Sequence, residues 1–174
     1  MRIAVANKKS ETSEEGTKRE SRLNRFDSSE QEVYLNLWRT YDRLRMLEDA
    51  LFGSFGINCQ QYNVLRLLKA SHPNSLPTLN LAGRLVSRAP DITRMLDKLD
   101  EKGWIRRTRP EGNRRQVLVQ ITEEGLALLK SLAEPLRKCH LQQLGHLTEQ
   151  QRTQLIELLK AARSPHESSD SPWG

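Results

Sequence analysis

Cysteine is scarce: the 174-residue chain has only Cys59 and Cys139, eighty positions apart. Thiols so distant build no disulfide framework, and the reducing cytoplasm is the expected compartment. Aromatic residues make up only 5% of the chain. No apolar run approaches the roughly 18–20 residues that a membrane span needs. The patch Ile3 to Ala6 is too short for the core of a signal peptide. Also missing are a glycine-rich phosphate loop, a nucleophile elbow and a paired-histidine metal motif on a helix. No enzyme, no cofactor and no membrane partner is therefore expected.

What the chain has is charge. Charged residues make up 29% against 36% hydrophobic, and Lys plus Arg outnumber Asp plus Glu by 28 to 22, a net +6. Such a balance favours polyanionic partners, nucleic acid first and an acidic membrane surface second. The excess is concentrated. Between Arg84 and Arg115 there are ten Lys or Arg and five Asp or Glu, so nearly all the surplus sits on a fifth of the sequence. Each phosphate neutralised there would release counterions and give salt-sensitive affinity.

The organisation is one domain with polar ends. Residues 1–29 are too polar to offset their chain entropy and are expected to form a disordered arm, with residues 164–174 as a flexible tail. Between them, over 30–163, Val33, Leu37, Tyr41, Leu44, Leu47 and Leu51 form a helical stripe that Ser28 or Ser29 caps and Gly53 and Gly56 end. Asn58 caps a second helix to about Ala70. Pro77 suits the first turn of a third that ends near Leu85. Ser87 starts a fourth, with Ile92, Met95, Leu96 and Leu99 on one face and Gly103 as its stop. The period then falls to two: Trp104 to Arg109 and Arg115 to Ile121 read as short strands around Pro110 to Asn113. Thr122 caps a long helix that Pro135 should kink. Thr148 and Gln151 make a capping box for a last helix carrying Leu155, Leu158, Leu159 and Ala162.

The expected fold is mainly α with a small β-hairpin wing, a winged helix-turn-helix that dimerises through its N- and C-terminal helices. The helix-turn-helix spans about 77–102 and the wing about 104–121. Around the fourth helix, Pro90, Arg94, Asp97 and Glu101 lie opposite the apolar face, flanked by Asp91, Thr93 and Lys98. Asp97 and Glu101 would repel phosphate, so the N-terminal half should enter the major groove. Arg94 is the candidate base reader, since Arg pairs well with guanine. Thr93 is placed to touch phosphate, and Lys98 to bind any sequence. Asp91 either accepts a hydrogen bond from cytosine or only complements the helix N-terminus. Ser87 and Arg88 occupy the turn Val86-Ser87-Arg88. In the hairpin, Arg106, Arg107, Arg109, Arg114 and Arg115 cluster where a wing would cross the sugar-phosphate backbone. An Arg at the tip suits a narrow minor groove.

The chain resembles the MarR (multiple-antibiotic-resistance regulator) family of bacterial winged-helix transcription factors over roughly residues 30–163. The stretches that carry the likeness are Gln61-Tyr62-Asn63-Val64-Leu65, Leu81-Ala82-x-x-Leu85 and Asp91-Ile92-Thr93-Arg94-Met95-Leu96-Asp97-Lys98-Leu99. Glu101-Lys102-Gly103-Trp104-Ile105-x-Arg107, Asn113-Arg114-Arg115 and Ile121-Thr122-Glu123-Glu124-Gly125 complete it. Taken together they are specific. The resemblance implies a homodimeric regulator whose winged domains read a pseudo-palindromic operator in double-stranded DNA, acting as a repressor that a small molecule releases. It also implies that Arg115 is the wing arginine. The family wing usually carries Asp-x-Arg, and here Asn113 replaces the Asp.

Six of the nine aromatics lie between Tyr34 and Tyr62. Tyr34, Trp38, Tyr41 and Tyr62 either pack as core or line a pocket for a small aromatic ligand, which family resemblance would place between the dimer helices and the DNA-binding lobe. Cys59, at a predicted helix N-terminus, raises a redox-sensing regulator as an alternative. Cys139, His140 and His146 lack a fourth ligand, so no metal site is expected. A winged protein-interaction module with little DNA specificity is the rival from another class.

Overall fold

The computed structural model describes residues 26–85, 91–110, 112 and 116–167. The chain divides into two compact units, residues 1–45 and 46–174. Helix α1 (Ser29–Ser54) runs from one into the other. Ser28 is its cap, accepting from the Gln31 N–H at 3.2 Å. In the part of α1 that lies in the first unit, Val33, Tyr34, Trp38 and Tyr41 are each more than half exposed. The expected stripe of Val33, Leu37, Tyr41, Leu44, Leu47 and Leu51 is thus helical, and Val33 and Tyr41 on it are exposed.

The second unit holds the apolar core. α1 runs through Gly53 and stops at Gly56, whose φ of +70° is the left-handed conformation glycine favours. There the Gly56 N–H donates to the Gly53 carbonyl and the Ile57 N–H to the Phe52 carbonyl, a Schellman ending. Helix α2 (Cys59–Ser71) follows, with Asn58 and Gln61 forming a reciprocal capping box at 2.9 and 3.0 Å. Removing the cap acceptor with Asn58→Ala should lower stability by about 1 kcal/mol in a urea titration. An unchanged midpoint would show that the cap is dispensable.

Leu76 and Pro77 form a strand, β1, which the sequence alone did not suggest. Pro77 is therefore the residue before helix α3 (Thr78–Gly83) rather than in its first turn. Helix α4 (Ile92–Glu101) starts later than expected from Ser87, because Asp91 is non-helical and caps it. Val86, Ser87, Arg88 and Pro90 lie outside the described residues. α4 ends as α1 does. Gly103 has φ +70°, its N–H donates to the Asp100 carbonyl, and that of Trp104 donates to the Leu99 carbonyl.

Strands β2 (Ile105–Thr108) and β3 (Leu118–Ile121) make the wing; β2 is one residue shorter at each end than the sequence implied, and β3 begins only at Leu118 but ends at Ile121 as expected. The sheet is antiparallel in the order β1-β3-β2, with Ile105 opposite Ile121 and Arg107 opposite Val119. β1 pairs Leu76 with Val119 and Pro77 with Leu118, which ties the entry of the helix-turn-helix to the wing. Helix α5 (Glu123–Leu144), capped by Thr122, runs through Pro135 as one element. Helix α6 (Glu149–Arg163) has the expected Thr148–Gln151 box. Residues 164–166, expected in the flexible tail, form a 3-10 turn.

The main core gathers Leu65 and Leu68 of α2, Leu81 of α3, Leu96 and Leu99 of α4, and the inward wing residues Ile105, Val119 and Ile121. A second cluster joins Phe52 and Ile57 to Leu132 and Leu136 of α5. α6 buries no residue, and Leu155, Ile156, Leu158 and Leu159 are all exposed. Among the described residues no helix is long and apolar enough to cross a membrane.

Candidate nucleic-acid interface

The buried face of α4 is Met95, Leu96 and Leu99. With that face fixed against the core, the 100° step per residue turns Thr93, Arg94 and Lys98 outward, and all three are exposed. The Arg94 side chain is 78% exposed. It lies at the N-terminal end of the helix, as a base reader must. Asp91 accepts from the Arg94 N–H at 2.9 Å, and its other oxygen sits 3.5 Å from the Arg94 guanidinium. Of the two roles open to Asp91, the structure shows the cap at the helix N-terminus.

The wing departs from expectation at one residue. Arg106 and Arg109 are exposed, as a phosphate-facing surface requires. Arg107 is turned inward instead, its side chain 28% exposed, with Nη1 2.6 Å from Asp97 and Nε 3.0 Å from Asp100. Partial burial works against its charge, but hydrogen bonds to Asp97 and then Asp100 outweigh it and raise its pKa. Asp97 is correspondingly half-buried and paired, not an open negative charge opposite the core, whereas Glu101 is exposed. Strand parity carried the signal for this. Arg107 shares its face with buried Ile105, while Arg106 and Thr108 face out. Gly112 lies in the turn, and Asn113, Arg114 and Arg115 fall outside the described residues.

A groove of about 690 Å³ lies beside α4, lined by Pro77, Thr78 and Leu79 together with Thr93, Leu96 and Arg107. Leu79, one of its lining residues, is 85% exposed. Thr78 is anchored through its N–H and hydroxyl, both donating to the Val117 carbonyl at 3.1 and 3.2 Å. The sequence did not reveal this cavity, because it exists only once β1 joins β3 and brings α3 alongside the wing.

The four aromatic candidates have different environments. Tyr34, Trp38 and Tyr41 are exposed, and the rings of Tyr34 and Trp38 lie 6.2 Å apart. Tyr62 packs on Phe52, centroid to centroid 4.8 Å, with the Arg66 guanidinium 6.0 Å from its ring. Tyr62 is half-buried and packs against both core clusters. Cys59 is half-buried as the first residue of α2. Cys139 is buried, and that burial, then the charge of Glu48, pushes its thiol pKa up. His140 faces Glu48 at 3.2 Å. Among the described residues no group of three side chains is arranged to hold a metal ion.

The family model for MarR matches residues 57–117, from the end of the first core helix through the wing turn. The crystal structure of a MarR transcription factor from Planctomyces limnophilus is 51% identical, with a TM-score of 0.64 over 78% of this chain and 98% of that one. The HTH-type transcriptional regulator PecS of Dickeya dadantii is 29% identical over 64% of this chain and 68% of its own length. The fold is also that of a cysteine-to-serine mutant of E. coli MarR complexed with operator DNA. That protein is 24% identical, with a TM-score of 0.67 over 75% of this chain and 92% of that one.

Proposed function

Because the chain belongs to the MarR family of winged-helix transcriptional regulators, we propose that it is a cytoplasmic homodimeric repressor that reads a pseudo-palindromic operator and is released by a small molecule. The observation that carries the DNA reading is the outward set Thr93, Arg94 and Lys98 over a buried apolar face, beside a wing whose Arg106 and Arg109 are exposed. The E. coli relative of the same fold is held on operator DNA. The relatives described above are transcriptional regulators, not enzymes. A gel shift against duplexes selected from a random pool tests this reading. It should show sequence-selective binding that weakens steeply with salt. A complex indifferent to both sequence and salt would favour the protein-interaction module instead.

Arg114 and Arg115, with Ser87, Arg88 and Pro90, belong to the proposed interface by resemblance and by charge. Replacing Arg114 and Arg115 together with Ala should weaken binding and flatten the salt dependence by about one counterion for each phosphate no longer neutralised. Asn113→Asp should strengthen the wing's grip by holding the arginine through a charge-assisted hydrogen bond. Titrations at several salt concentrations decide it; superimposable slopes and affinities would make the wing a bystander.

The dimer reading rests on two uncovered apolar helices. Val33, Tyr34, Trp38 and Tyr41 of α1, and Ile156 and Leu158 of α6, are all more than half exposed. Soluble monomers rarely leave such surface open. Sedimentation at micromolar concentration should give twice the 20.1 kDa of one chain, and a stable single-chain species would contradict it. For the ligand, the groove between α3 and α4 offers apolar lining from Pro77, Leu79, Leu96 and Val117, and a ligand there would act on α4 directly. Release requires only that the ligand prefer a dimer whose reading helices are mis-spaced for the operator.

A further inference from the structure

We propose that Arg107 is a positioning residue: it clamps the wing to the reading helix, masks that helix's two paired carboxylates from DNA, and binds no phosphate of its own. This rests on the DNA reading above.

Asp97 and Asp100 are three apart on α4 and therefore neighbours on one helical face. Both lie in the half of the helix nearest its C-terminus, where negative charge would face an approaching phosphate backbone. One guanidinium meets both, Nη1 on Asp97 at 2.6 Å and Nε on Asp100 at 3.0 Å. The nearby cations are otherwise directed. Lys98 is exposed, and Lys102 donates to the Gly56 carbonyl at 2.6 Å while lying 4.7 Å from the centre of the Trp104 ring. Arg107 is the cation that pairs with both acids among the described residues.

The clamp also sets geometry. β2 pairs with β3 along its whole length, so a fixed Arg107 fixes the strand that also carries the exposed Arg106. The planar fork spans two carboxylates at once, which the single point charge of a lysine does not. Arg107 therefore keeps the reading helix and the wing at one spacing, the spacing a DNA duplex samples through its major and minor grooves.

The test is a cycle on DNA binding, with operator and random duplex measured at several salt concentrations. Arg107→Gln should cost operator affinity roughly 3- to 30-fold, with the salt slope unchanged. In an Asp97→Asn/Asp100→Asn background the same substitution should cost far less, because there is no longer charge to mask. Arg107→Lys should recover only part of the loss. Asp97→Asn/Asp100→Asn alone should lower the ratio of operator to random affinity, since it frees the wing without removing a cation; this arm stands even where Arg107→Gln fails to fold in a thermal melt. A salt slope shallower by about one, with equal losses in both backgrounds, would make Arg107 a phosphate ligand and overturn the proposal. So would an unchanged affinity ratio in the double Asn variant. Wild-type protein that selects no duplex overturns the DNA reading itself, and the clamp with it.

Discussion

Gly125→Ala should lower the melting temperature by roughly 6–12 °C, the equivalent of about 3 kcal/mol for a chain of this size. A β-carbon at Gly125 would stand 2.3 Å from the Trp104 carbonyl oxygen and 2.8 Å from Ile121 Cγ1. Neither neighbour is a flexible tip. The Trp104 carbonyl accepts the Thr122 N–H at 3.1 Å, and the Thr122 hydroxyl caps the Gly125 N–H and donates to the Gly103 carbonyl at 2.7 Å. Relieving the clash means moving the backbone where α4, the wing and α5 meet, and losing those bonds. DNA affinity should fall with stability, because the displaced strand is the one that carries the wing. A thermal melt checks this; a variant within a degree of wild type would mean that the junction is slack.

Arg94→Ala should cost roughly 1–3 kcal/mol on the operator and relax preference at one base position. The side chain is 78% exposed on the outer face of α4, and its salt bridge to Asp91 is solvent-bathed and therefore weak. Little is given up when Arg94 turns to a guanine edge. Lys98→Ala removes a charge without a reading role and should weaken all sequences alike. Selection of bound duplexes with each variant separates the two. An intact preference with Arg94→Ala would mean that another residue reads the groove.

Most of this architecture was legible along the chain because it is local. Asn58, Thr122 and Thr148 announced helix starts through side-chain chemistry acting three residues away, and Gly56 and Gly103 marked ends that need a positive φ. The face of α4 followed from helical period alone. β1 was not legible. Two residues, one a proline, have no periodicity, and they become a strand only because β3, some forty positions on, supplies a partner. Arg107 looked like one more wing arginine until its two partners, seven and ten positions earlier, were seen across the helix–strand junction.

The sequence by itself determined the helix phases, the caps, the outward set on α4 and the concentration of positive charge on a fifth of the chain. Each depends on backbone period or on side-chain bonds spanning three or four residues, so order along the chain is enough. Only the tertiary structure decided which arginine is turned inward and that a groove opens beside α4. Those depend on which elements pack side by side, and charge complementarity between residues of different elements leaves no period in the chain.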